Sequence, residues 1–119
     1  MLLFLAAYAR GQTKVIFGKL VVFNEYPVAN VEVRSKKAKS AMLSDSIGQF
    51  YIVCRKNDII KINSKAFRPV TRRVGPETDT LTINLFFLDN EKNRKLAVGY
   101  GYIDEKDLLF AVSNLEQGR

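Results

Sequence analysis

A single all-β sandwich of about seven short strands, Greek-key in type, is the fold this sequence predicts. Apolar and polar residues alternate at period two through the middle of the chain, most cleanly in Leu81-Thr82-Ile83-Asn84-Leu85. Clusters of turn-forming residues interrupt the alternation about every 8–12 residues. No long helical period occurs before residue 100.

The elements follow in order. Val15 to Phe23, rich in β-branched and aromatic residues, is a first strand, and Asn24-Glu25-Tyr26-Pro27 turns the chain. Val31 and Val33 carry the second strand, with Val28 leading in, and the polar loop 35–39 follows. Ala41 and Leu43 begin a short third strand. Ser44-Asp45-Ser46-Ile47-Gly48 is a tight turn in which Gly48 suits a positive φ. Gln49 to Cys54 is a two-faced strand, with Phe50, Ile52 and Cys54 on one side and Gln49, Tyr51 and Val53 on the other. After the Arg55-Lys56-Asn57-Asp58 turn come strands at 59–62, 70–74 and 81–85, the last running into Phe86-Phe87-Leu88. The core expected from this pattern is Ile16, Val31, Val33, Phe50, Ile52, Ile60, Ile62, Leu81, Ile83 and Leu85.

Composition bounds the function. The chain has 119 residues, enough for one domain and one core, and 47% of them are hydrophobic, which a disordered body would not need. It has no His, so Ser-His-Asp and Cys-His pairs cannot form and the usual zinc ligand is missing. We expect no enzyme, no cofactor and no metal site. Cys54 is the one cysteine and reads as a small buried hydrophobe rather than a reactive thiol. Asp45 between two serines reads as a turn, because the alternating acidic ligands of a calcium loop are absent. The formal net charge is +7, with basic clusters at 34–39, 68–73 and 92–95. These are either solvated loops and strand faces or a surface for anionic lipid, lipopolysaccharide or an acidic partner. Nucleic acid is not expected, since no recognition motif accompanies the charge.

Residues 1–11 open with an uncharged apolar run, Leu2 to Ala9, in which Ala7-Tyr8-Ala9 fits the small-x-small rule of signal cleavage. We read them as a signal peptide shortened at its start; a hydrophobic first strand is the alternative. Residues 12–88 form the sandwich. Residues 89–119 are a tail that begins as a polar linker over 89–95. Asp104 then caps a short helix with Leu108, Ala111, Val112 and Leu115 at i, i+3, i+4 and i+7. Residues 96–115 are too short to fold alone and are expected to be loosely tethered until a partner orders them.

Two stretches together carry a resemblance. The first joins Gly18-Lys19-Leu20-Val21, Tyr26-Pro27-Val28-Ala29-Asn30-Val31, Leu43-Ser44-Asp45-Ser46-Ile47-Gly48-Gln49-Phe50, Asp58 to Ile62, and Ala66-Phe67. It resembles the carboxypeptidase-regulatory-like domain (carboxypeptidase D regulatory-like) over about residues 14–88. That family shows glycine at the place of Asn30, threonine at Ser44 and glycine–tyrosine at Ala66-Phe67. The second joins Ala97-Val98-Gly99-Tyr100-Gly101 to Lys106-Asp107-Leu108 and Ala111-Val112-Ser113. It is similar to the segment leading into the plug of SusC-like TonB-dependent outer-membrane transporters of Bacteroidetes, with Leu109-Phe110 where threonine–glycine is usual.

The resemblance implies a prealbumin-like (Ig-like) sandwich with a C-terminal extension, exported to the periplasm at the outer membrane. It implies a non-catalytic binding or accessory module for a TonB-dependent transporter plug and barrel or a TonB-type protein, monomeric when isolated. Val98, Gly99, Tyr100 and Gly101 are the expected partner-contacting residues, and a final strand or linker is the alternative for them. A transporter barrel needs on the order of 200 residues for its strands alone, so the chain is expected to be a truncated or split transporter N-terminus or a stand-alone relative. The second functional expectation is a purely structural stability domain of a larger exported protein, such as a metallocarboxypeptidase or an adhesin.

Overall fold

The fold was obtained as a computed structural model and is described for residues 13–117. It is mostly β: two sheets face each other like a sandwich, eight strands in all, followed by two C-terminal helices. The signal-peptide reading of residues 1–11 lies outside the described residues.

The first sheet is organised around β1 (Thr13–Val22). Along one edge β1 pairs antiparallel with β5 (Gln49–Arg55) and, at its end, with β2 (Tyr26–Pro27). Its other edge pairs parallel with β8 (Thr80–Leu85). The second sheet is antiparallel in the order β4 (Ala41–Leu43), β3 (Glu32–Ser35), β6 (Ile59–Ile62), β7 (Val70–Arg73). β5 shows the sandwich logic most plainly: Phe50, Ile52 and Cys54 are buried while Gln49, Tyr51, Val53 and Arg55 are exposed. Of the ten expected core residues all are buried except Leu81, which is partly buried and packs against the core.

Two close approaches tighten the first sheet, between β1 and β5. A methyl group on Gly18 would lie 2.1 Å from Cζ of Phe50, so the bare backbone of β1 is what admits the Phe50 ring. Gly48 has φ +81°, and a Cβ there would meet the Leu20 carbonyl oxygen at 2.4 Å. The buried Ser44 hydroxyl donates to the Val28 carbonyl at 2.8 Å and accepts from the Val31 amide at 3.2 Å, tying the Gly48 turn to the approach to β3.

Asp58 is the one acid with no exposed surface among the described residues. Its Oδ1 accepts from the amides of Lys37 and Ile59 at 2.7 and 2.8 Å, and its Oδ2 from those of Ala38 and Arg55, both at 3.0 Å. Burial pushes the carboxyl up, but the four backbone donors together outweigh it and hold Asp58 below the usual carboxylate range. The carboxylate thereby clamps the β3–β4 loop against the β5–β6 turn.

The structure corrects several expectations. Tyr26-Pro27, read as part of a turn, is a two-residue strand opposite Val21 and Val22. The turn proper is tighter, with Phe23 and Asn24 both at positive φ (55° and 60°) and the Glu25 amide bonded to the Val22 carbonyl. The Phe23 ring lies edge-on to Tyr26 and Phe87, a packing return for an unusual aromatic φ. Residues 89–95, read as a polar linker, mostly belong to a helix, α1 (Glu91–Gly99). Asn90 caps it by accepting from the Asn93 amide at 2.7 Å, Arg94 forks onto Asp89, and Glu91 lies 3.4 Å from Lys95 one turn on. The segment is polar because a short helix needs only a narrow apolar stripe, here buried Ala97 flanked by Leu96 and Val98.

The expectation of a loose tail also needs correction. Ala97, Tyr102, Ile103, Leu108 and Val112 join the same buried cluster as the sheets. The Ala29 amide donates to the Tyr102 carbonyl at 2.9 Å, and the Phe67 and Tyr102 rings lie 5.7 Å apart. Only the helix capped by Asp104 matches in kind and place: α2 (Glu105–Gln117) buries Leu108, Ala111 and Val112, while Leu115 is exposed.

Candidate functional site

The four residues expected to contact a partner lie where α1 stops. Val98 is half-buried on the last turn, Gly99 is exposed, and a side chain added at Gly99 would meet nothing within 4 Å. Tyr100 is 50% exposed and stacks on buried Tyr102, ring centroids 5.4 Å apart and nearly parallel. Gly101 has φ +73°.

Backbone geometry explains the second glycine. The Tyr102 amide donates to the Ala97 carbonyl and the Gly101 amide to the Val98 carbonyl. These are the two bonds of a Schellman stop, which places its glycine in the left-handed region. Ala97 and Tyr102, the residues this motif brings together, are both buried in the core. The Asn30 side-chain amide also donates to the Gly101 carbonyl at 3.1 Å, and a Cβ on Gly101 would approach that nitrogen to 2.8 Å. Gly101 is thus a helix terminator pressed on the sandwich, whereas Gly99 and Tyr100 face outward.

Beside them runs a shallow cleft between the helices. Val98, Gly99, Leu108 and Leu109 line it, with Arg94, Lys95 and Glu105 at its margin. Leu109 and Phe110, to which the periodicity assigns no role, are 48% and 61% exposed. Their signal was available, since two large apolar residues follow Leu108 outside the i, i+3, i+4 stripe. The arrangement offers apolar contact with a charged margin and holds no nucleophile–base pair. Cys54 lies far from such chemistry in kind: it is fully buried, and burial, aided by the Asp58 charge and opposed by Lys14, pushes its thiol up to about 11.

A second exposed apolar surface lies on the outer face of the first sheet. There Val15 faces Val53 and Phe17 faces Tyr51 across β1 and β5, with exposures of 37–58%. No protein-family model matches the chain, and no curated protein matches it.

Proposed function

We propose that the chain is a non-catalytic accessory module of the carboxypeptidase-regulatory-like kind, a Greek-key, prealbumin-like sandwich exported to the periplasm. There it serves a TonB-dependent outer-membrane uptake system. Its partner is a plug-like domain or a TonB-type protein.

One observation carries the reading: the residues on which the resemblance rests depend on one another in space. Gly18 makes room for Phe50. Gly48 passes against Leu20 with φ +81°. Asn30, where the family shows glycine, has φ +62°, a conformation asparagine tolerates better than most residues. Ser44, in the place of threonine, uses its hydroxyl on Val28 and Val31. Motif residues scattered through 18–50 therefore answer shared geometric needs. At the helix junction, Val98, Gly99 and Tyr100 with exposed Leu109 supply the contact surface.

The test is direct binding. The full chain is titrated calorimetrically with a purified plug domain from a SusC-like transporter, and separately with the periplasmic domain of a TonB-type protein. Saturable binding that Tyr100→Ala weakens at least tenfold supports the reading. Absence of heat with both partners at ~100 μM overturns it.

One observation favours a second reading, a purely structural stability domain of a larger exported protein: the tail packs into the sandwich core through Ala97, Tyr102 and Ile103. On that reading both titrations are silent, and removal of the tail lowers stability.

A further inference from the structure

The edge strands of the two sheets are finished in different ways. β5 and β4 close on one another: the Ser40 hydroxyl donates to the Val53 carbonyl at 3.2 Å, and the Asp45 amide to the Gln49 carbonyl at 2.8 Å. β7 carries exposed Arg72 and Arg73, the charged finish that keeps an edge from pairing. β8 has neither device. It reads Thr80-Leu81-Thr82-Ile83-Asn84-Leu85, without charge, proline or glycine, in unbroken register with β1.

Backbone parity fixes what this edge presents. The Phe17 amide donates to the Asp79 carbonyl at 3.0 Å, so in the parallel ladder Leu81, Ile83 and Leu85 also turn their peptide groups to β1. Thr80, Thr82 and Asn84 turn theirs the other way. Phe86 continues that outward row, and its carbonyl is taken by the Arg68 amide at 2.9 Å. Pro69 then leads the chain away to β7 in the other sheet. The backbone N–H and C=O groups of Thr80, Thr82 and Asn84 have no partner among the described residues. Their side chains are exposed, and Leu81 between them is only partly covered.

We propose that this edge pairs with the same edge of a second copy of the chain, joining the two first sheets across a two-fold axis. Antiparallel pairing centred on Thr82 sets that residue opposite itself and Thr80 opposite Asn84, and each pair exchanges both its backbone bonds. Threonines directly opposite are a favourable cross-strand pair. On the core-facing side Leu81 then meets the partner's Ile83, which covers the one expected core residue that a single chain leaves open. Charge selects a copy over a foreign strand. The chain carries a net charge of +7, so two copies repel across most of their surface and can meet where a strand is uncharged. A foreign strand drawn by that charge would find its match at the arginines of β7 instead. The proposal does not depend on the transporter reading, and it departs from the monomer that the resemblance implies.

The experiment is sedimentation equilibrium of the full chain from ~10 μM to ~1 mM. So short an edge makes a small, weak contact, and the average mass should rise from one chain toward two, half-dimerised on the order of 100 μM. Thr82→Lys sets two like charges opposite one another and should raise the dissociation constant at least about fivefold. Thr82→Glu should do the same. An equal mixture of the two variants should recover association, because a two-fold axis through residue 82 then pairs lysine with glutamate. Thr71→Lys adds the same charge to the exposed edge of β7 and should stay within about twofold of the parent. Hydrogen exchange reads the parity: protection of the Thr80, Thr82 and Asn84 amides should rise with concentration, while the Ile83 amide, already turned to β1, should be protected throughout. A single-chain mass at ~1 mM, equal losses from Thr82→Lys and Thr71→Lys, or a mixture no better than its components overturns the proposal. So does association that leaves the Thr82 and Asn84 amides unprotected, which would place the contact elsewhere. Exchange on the unmodified chain decides the question should a variant fail to fold.

Discussion

Replacing Asp58 by Asn removes one negative oxygen and puts an NH2 group in its place while keeping the side chain's shape. Whichever oxygen is replaced, two backbone donors lose their acceptor: the amides of Lys37 and Ile59 at Oδ1, or those of Ala38 and Arg55 at Oδ2. A buried donor left unmet costs about 1–3 kcal/mol. Two give about 2–6 kcal/mol, and we expect about 2–4 because water can reach the partly buried loop amides. That is a large share of the ~5–15 kcal/mol typical of a domain. Urea denaturation reads it as a lower midpoint at unchanged slope. Asp45→Asn is the control. Asp45 accepts from the Ile47 and Gln49 amides at 3.1 and 2.8 Å in an exposed turn, where water can substitute, so about 1 kcal/mol or less is expected. The sign with pH is fixed as well. A carboxyl held below its unfolded value contributes stability above that value, about 3.9, and loses it as pH falls through the folded one. The gap between the natural chain and Asp58→Asn should therefore be constant above pH ~5 and narrow in acid. A loss under about 1 kcal/mol, or a gap that does not narrow, refutes the clamp.

Four further outcomes are expected. Phe50→Ala should cost about 3–5 kcal/mol by urea denaturation, and Gly18→Ala, costly alone, should cost less once Phe50 is Ala, because the obstructing ring has gone. Gly48→Val should lose more than about 1 kcal/mol in the same assay, since a β-branched residue avoids φ +81°. Deleting residues 96–119 exposes the surface that Tyr102 and Ile103 cover, and burial of two such side chains is worth about 3–6 kcal/mol. The melting temperature should fall by at least ~10 °C, and an unchanged value would restore the loose-tail expectation. Cys54 should resist a thiol reagent at pH 8 until the chain unfolds. Stability should also decline from about pH 9, where the unfolded thiol ionises, toward 11, where the folded one does.

The β-strands were legible because each face met a different medium. β5 and β6 obey strict alternation, and Ile52, Ile60 and Ile62 could be assigned from parity alone. Leu81 failed partially because it sits near the start of an edge strand, where cover is incomplete. β2 escaped notice because two residues are too few to show a period. α1 escaped because its polar residues stabilise one another, through Asp89–Arg94 and Glu91–Lys95, and it shows the core a single buried residue. Asn90 with Asn93 three residues later was the available sign. Asp58 looked like any turn aspartate; its burial depends on a loop some twenty residues earlier in the chain, which no local pattern reveals. Of the candidate site, Tyr100 and Gly99 were named from the resemblance, while exposed Leu109 needed the helix to be seen against its neighbour.

The parallel pairing of β1 with β8 sets an order of events during synthesis. Lys14 and Pro76, which meet beside it, are 62 residues apart in the chain. Until residues 80–85 have emerged, residues 17–22 of β1 present an edge of unpaired amides and carbonyls, with β5 already able to occupy the other side. Closing so long a loop is slow, and an open strand edge invites a neighbouring chain to fill it. A nascent chain halted before Leu85 is therefore the species that a chaperone must hold apart from its copies. Once β8 docks, it covers residues 17–22 of β1 and becomes the sheet's edge strand itself.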